Sequence, residues 1–143
     1  MTVISMTWVA TALGALTIFL VNALWFGPKT FYSVWWRALG KEVPRPEDQA
    51  TSAKAMARLF GSGLAAAIAQ AMVLTFVIAM ASQSQDTDLI GGALIGLAFG
   101  IVAAGASLPH RLFGQQGFKV WLIEIGADVV SLVVAGLIIA TLV

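Results

Sequence analysis

Cysteine is absent from this chain, and His110 is the only histidine among its 143 residues. Without thiols the protein forms no disulfide, no thiolate nucleophile and no thiolate metal site. A single imidazole also excludes a metal site built from several histidines of one subunit. No P-loop, GxGxxG fingerprint with its acid, HExxH or GxSxG sequence occurs. We therefore expect a non-catalytic protein that binds neither a metal ion nor a cofactor.

Charge is also scarce. Only 10% of the residues are charged and 59% are hydrophobic, whereas soluble domains carry about 25% charged residues. So few charges do not cover a water-exposed surface, and lipid must cover much of it. The net charge of +1 is too small to indicate a nucleic-acid partner. The length indicates a single domain.

The apolar residues form four segments, each near the ~20 residues with which a helix crosses ~30 Å of hydrocarbon. Helix is the expected conformation because an open strand leaves backbone groups unpaired in lipid. The fold class is therefore all-α: a polytopic membrane protein with four transmembrane helices in an antiparallel bundle. The predicted helices cover about residues 3–26, 47–81, 89–108 and 118–143.

Three local signals set these boundaries. Pro46, Glu47 and Asp48 are typical of a helix start. Asp86 or Thr87 is positioned to cap the third helix. Pro109 is expected to end that helix, because proline lacks the backbone N–H that a helix needs.

All Lys and Arg residues lie in two connections, between apolar segments one and two and between segments three and four. None precedes the first segment, none lies between segments two and three, and none follows segment four. Short loops rich in Lys and Arg stay in the cytoplasm. We therefore predict that loops 29–58 and 109–119 are cytoplasmic and that both termini lie outside. The eight residues are Lys29, Arg37, Lys41, Arg45, Lys54, Arg58, Arg111 and Lys119.

A short amphipathic helix is predicted directly after the first span. Gly27-Pro28 ends that span, and apolar side chains recur at helical spacing through residues 30–40. We expect this helix to lie in the headgroup layer, where aromatic side chains concentrate. The predicted interfacial docking surface consists of Trp25, Phe31, Trp35, Trp36, Arg37 and Trp121.

Helix three carries a glycine at every fourth position, at Gly92, Gly96 and Gly100. Such a row lets two helix backbones approach closely in lipid, where association depends on packing. This helix-packing seam lies either within one subunit, which is the more ordinary use, or between two copies of the chain.

Two acids, Glu124 and Asp128, fall inside the fourth span, one turn apart on one face. Burying Asp at a helix centre costs roughly 2.5–3.5 kcal/mol, so both need partners. Candidate partners at similar depth are Asn22, Lys119 and Arg111. With Asn22 and Gln70, which is nearer to mid-membrane, the acids form the predicted polar intramembrane site. It is either a proton or cation site or a hydrogen-bonded core that fixes helix packing.

Two stretches resemble a family of small bacterial membrane proteins catalogued as domain of unknown function 1761. The first is ALWFGPKTF at Ala23–Phe31, followed by VWWRALG at Val34–Gly40. The second is the last hairpin, LFGQQGFKVWLIEIGADVVSLVVAGLIIA at Leu112–Ala140. The resemblance implies four membrane helices in a bacterial inner membrane and supplies no activity. Asn often stands at the position of Glu124 in that family, which argues against a family-wide ion-coupling role for this acid.

Two functions follow as expectations. The first is a non-catalytic protein of the cell inner membrane that acts as a homo-oligomer or as a subunit of a membrane complex. The alternative is a small oligomeric transporter or channel, coupled to protons or cations through Glu124 and Asp128. In both cases the partners are the lipid bilayer and either further copies of the chain or a membrane-complex partner, with no nucleic acid.

Overall fold

The computed structural model describes residues 3–45, 47, 52–84 and 87–143, with side chains from Thr7 onward. These residues form five α-helices and no strand. Four helices are long and apolar enough to cross a membrane, which confirms the predicted all-α class and the four spans. The helices are α1 (Val3–Trp25), α2 (Tyr32–Ala38), α3 (Ala53–Ser82), α4 (Leu89–Phe113) and α5 (Phe118–Ala140).

Helix α5 is the centre of the molecule, because it packs against each of the other four helices. Its contacts with α4 follow the glycine row. Positions 92, 96 and 100 of α4 meet positions of decreasing number on α5, so these two helices run antiparallel. The facing pairs are Gly92 with Gly136, Gly96 with Leu132, and Gly100 with Val129.

Helix α1 packs against both α3 and α5. Gly14 lies at the centre of this contact, where an added Cβ would stand 2.8 Å from Ile139 Cδ1 and 3.5 Å from Ala71 Cβ. Around it, fully buried Leu74 and Ile78 complete the apolar core. The core therefore lies where α1, α3 and α5 meet.

Helix α3 begins at Ala53, with the Ser52 hydroxyl accepting a hydrogen bond from Ala55 N at 3.2 Å. Apart from Glu47, the start predicted at Pro46–Asp48 lies outside the described residues. With 30 residues, α3 is about 45 Å long and exceeds the ~30 Å of hydrocarbon that a span must cross.

Helix α4 differs from the prediction at both ends. Its cap is Asp88, whose Oδ1 accepts a hydrogen bond from Gly91 N at 2.7 Å, rather than Thr87; Asp86 lies outside the described residues. At the other end Pro109 lies inside the helix, which continues to Phe113. A proline removes one backbone hydrogen bond, but the turn after it still closes, because Gly114 N donates to His110 O at 3.0 Å.

The predicted short helix after the first span is present as α2, although its position in the headgroup layer stays a prediction. It is connected to α1 by residues 26–31, where Thr30 holds the turn. The Thr30 hydroxyl lies 2.7 Å from Trp25 O and 3.1 Å from Gly27 O. Helix α2 packs against α5.

Candidate functional site

Glu124 binds two partners at the basic end of the bundle. Its Oε2 lies 2.8 Å from Arg111 Nε in the last turn of α4, and its Oε1 accepts a hydrogen bond from Trp35 Nε1 of α2 at 3.1 Å. The Glu124 side chain is 19% exposed. Both oxygens of a largely buried acid are therefore engaged, and three helices meet at one carboxylate. We call these three residues the Glu124 cluster.

The α4–α5 turn positions the Arg111 side chain. Arg111 Nη1 donates a hydrogen bond to Gln116 Oε1 at 2.7 Å. Gly117 has a φ of +84°, a conformation that favours glycine, and α5 begins directly after it. This short turn brings Arg111 and Glu124 together although they are 13 positions apart in the chain. Arg111 is one of the candidate partners predicted from the sequence, and in the structure it is the one that forms an ion pair with Glu124.

Asp128 lies one turn further along α5. Its side chain is half-buried, and no hydrogen bond or ion pair joins its carboxylate to any described residue. Glu124 and Arg111 are the charged groups that act on it. The two acids therefore lie one turn apart but differ in their contacts, because Glu124 has an ion pair and a hydrogen bond and the Asp128 carboxylate has neither among the described residues.

Asn22 and Gln70 do not join the acids. Asn22 Nδ2 donates to Ile18 O within α1 at 2.9 Å, a bond that requires nothing from α5. Gln70 is exposed on α3 and lines a lateral groove. The four-residue polar site therefore reduces to the two acids with Arg111, and Trp35 is the residue that the sequence missed. The sequence predicts Trp35 only as a docking residue and not as a partner of Glu124, because the two are 89 positions apart.

The tryptophans at this end of the bundle are turned inward. Trp25 Nε1 donates to Ile123 O at 3.0 Å and its ring stacks on Phe31, with centroids 4.5 Å apart. Trp121 Nε1 donates to Ser107 Oγ at 3.1 Å. With Trp35, three of the predicted docking side chains therefore connect helices within the chain. An indole N–H in an apolar setting needs an acceptor, and the bundle supplies it.

Other members of the predicted docking surface remain available. Phe31 and Arg37 are exposed. Trp36 is half-buried beside Trp35, and Lys41 Nζ lies 5.5 Å from its ring centroid. The Trp36 Nε1 atom is buried and has no hydrogen-bond partner among the described residues.

The glycine row is covered within the chain. Gly92, Gly96 and Gly100 are buried against α5, and a Cβ at Gly96 would collide with the Leu132 carbonyl. The seam predicted from the spacing is therefore an intramolecular α4–α5 contact. A second copy does not reach this face without displacing α5.

Within residues 3–45, 47, 52–84 and 87–143, no group of three or more His, Asp or Glu side chains is arranged to hold a metal ion. What the Glu124 cluster does is fix α2, α4 and α5 to one another.

Comparison with known families gives one match. A family model described as "Protein of unknown function (DUF1761)" matches residues 9–140, a range that includes most of α1 and all of α2 to α5. This confirms the resemblance identified from the two sequence blocks. No curated protein and no solved structure matches the chain.

Proposed function

Because this chain belongs to the DUF1761 family, whose description assigns no activity, we propose a function from its structure. We infer that it is a non-catalytic integral membrane protein that acts through assembly, either with a second copy of itself or as a subunit of a larger membrane complex. The bilayer is its solvent, and no nucleic acid is involved.

The Glu124 cluster is the observation that carries this proposal. An acid in a membrane span is costly, and the cost is offset when the charge has a cation and hydrogen bonds. Glu124 has both, from Arg111 at 2.8 Å and from Trp35 at 3.1 Å. This acid therefore holds helices in place. Both of its carboxylate oxygens already have a partner, so neither is free to bind a substrate.

We also propose the site of action. The membrane is the cell inner membrane, and the basic end of the bundle, with α2 and the turn at residues 114–117, faces the cytoplasm. The sorting of Lys and Arg supports this orientation. Exposed Phe31 and Arg37 at that end would contact headgroups or a cytoplasmic part of a partner.

One observation favours a second candidate function. The Asp128 carboxylate has no hydrogen bond or ion pair with a described residue, and unpaired acids in spans mark proton or ion sites. In this alternative the protein is a small oligomeric transporter or channel, coupled to protons or cations through Asp128 with Glu124 beside it. An oligomer is required, because four helices enclose little space.

Two measurements test the proposal: the mass of the extracted particle and the proton flux through the protein in liposomes. The protein is extracted from its native membrane into lipid nanodiscs, and the mass of the particle is measured. We expect two or more copies, or one copy with a stoichiometric second protein. In liposomes under a pH gradient we expect the same proton flux for the wild type, Asp128→Asn and empty vesicles. A single chain per particle, or a flux that Asp128→Asn abolishes, would overturn the proposal, and the second result would establish the alternative.

A further inference from the structure

One flank of α3 is unpartnered within the chain. The face of α3 that carries Ala67 and Ala71 is buried against α1 and the core. A second flank of α3 is exposed and rich in small side chains, which lie about one helical turn apart. Its members are Leu59, Ser62, Ala66, Ala69, Gln70 and Val73.

Gln70 is the amide-bearing residue of this flank. It is the eighteenth of the 30 residues of α3, about 26 Å from the helix start. Because the other end of the helix is also about 18 Å away, Gln70 lies too deep for its amide to reach either interface. No hydrogen bond joins the Gln70 amide to any described residue, and Gln70 is exposed on the outer surface of the bundle.

Lipid acyl chains form no hydrogen bond with the Gln70 amide. An amide without a hydrogen bond in an apolar medium costs roughly 2–7 kcal/mol, and acyl chains offer neither donor nor acceptor. A lateral groove of about 380 Å³ lies beside Gln70, and its other walls include apolar Val73, Phe99 and Leu132. The amide therefore needs a partner from another molecule, and that partner must be polar at the same depth.

A second copy of this chain meets that requirement. A carboxamide is both donor and acceptor, so two Gln70 side chains related by a twofold axis can donate to each other, as in an isologous interface. Small residues at Ser62, Ala66 and Ala69 would let the two backbones approach closely enough for this exchange. The glycine row of α4 is not available for the same purpose, because α5 covers it.

We propose that two copies associate through this flank of α3, with reciprocal Gln70 hydrogen bonds at mid-membrane. The inference rests on the proposed function and deepens it, by naming the partner as a second copy and the surface as the Gln70 flank.

Disulfide cross-linking in membranes tests the surface directly, because the chain has no cysteine of its own. Ala66→Cys places a thiol on the flank, and Ile68→Cys places one at the same depth on the opposite side of α3, where Ile68 is also exposed. We expect oxidation to give covalent dimers of Ala66→Cys and not of Ile68→Cys. Equal yields at the two positions would overturn the inference.

The role of the amide is tested by Gln70→Leu and Gln70→Asn in liposomes at a series of protein-to-lipid ratios. Dimer formation is measured by energy transfer between donor-labelled and acceptor-labelled chains, and far-UV circular dichroism establishes that each variant folds. We expect Gln70→Leu to weaken dimerisation about tenfold, as the loss of interhelical hydrogen bonds in lipid predicts. Asn retains the amide and should restore part of the affinity. Equal affinity of wild type and Gln70→Leu would contradict the proposal.

Failure of this inference differs from failure of the proposed function. Wild-type dimers without an Ala66→Cys cross-link overturn the inference and leave assembly standing. A stoichiometric complex with a different protein also overturns the inference and supports the proposed function. Single chains at every protein-to-lipid ratio, with no partner after native extraction, overturn both.

Discussion

Gly92 and Gly136 face each other across the α4–α5 contact, and the backbone of each occupies the space where a Cβ of the other would lie. Neither residue therefore tolerates a side chain unless the two helices separate. The same holds at Gly96, which faces the Leu132 backbone. Helices α4 and α5 therefore pack through close approach of their backbones.

Gly96→Ala should destabilise the protein by about 1–3 kcal/mol, because an extra methyl in a packed contact forces a backbone shift. The measurement is denaturant unfolding in detergent micelles, followed by circular dichroism. Gly105→Ala is the matched control, since it lies on the same helix and a Cβ there meets no atom within 4 Å. Equal effects of the two substitutions would mean that the contact is looser than described.

Glu124→Gln and Arg111→Gln should each lower stability, and their effects should not add. A hydrogen bond to a charged group contributes roughly 1.5–3 kcal/mol, and the two residues share one such contact at 2.8 Å. A double-mutant cycle measures the coupling energy. Arg37→Gln with Glu124→Gln provides the comparison, since Arg37 is exposed on α2. Additive effects for the Arg111 pair would argue against the ion pair.

Trp35→Phe should release α2 from α5, whereas Trp36→Phe should not. Both substitutions remove ring area, but only Trp35 loses a hydrogen bond to Glu124. The Trp36 N–H has no described partner, so its removal relieves an unsatisfied donor. Amide hydrogen exchange of residues 32–38 is the readout. We expect faster exchange in Trp35→Phe alone, and equal rates in both variants would contradict the geometry.

Single cysteines should report the orientation. Lys41→Cys lies at the basic end and Ser84→Cys at the other end, and the chain has no other thiol. A membrane-impermeant maleimide added to intact cells is expected to label Ser84→Cys only. Inverted vesicles should give the reverse. Labelling of Lys41→Cys from outside would reverse the proposed topology.

The sequence predicted what depends on local composition. Length and apolarity predicted the four spans, and the spacing of small residues predicted the seam at Gly92, Gly96 and Gly100. These features are visible because a helix repeats its faces at a fixed interval. The i, i+4 spacing also placed Glu124 and Asp128 on one face.

Features that depend on contacts distant in sequence were not predictable. Asn22 and Arg111 were both candidate partners of the acids, and the choice depends on how α1 and α4 pack against α5. An aromatic side chain beside basic residues is typical of the headgroup layer, so the sequence predicts Trp35 as a docking residue, yet its indole donates to Glu124. Pro109 predicts the end of a helix, but the sequence does not show that the next turn closes despite the lost hydrogen bond, as it does between Gly114 N and His110 O.

The central place of α5 has a consequence for biogenesis. Ribosomes make a chain from its N-terminus, so α5 is the last helix to reach the membrane, and the helices that pack against it arrive first. During that interval the glycine face of α4 is open to lipid and the guanidinium of Arg111 lacks its carboxylate. The bundle therefore reaches its packed form only after its last helix has entered the membrane and covered these groups.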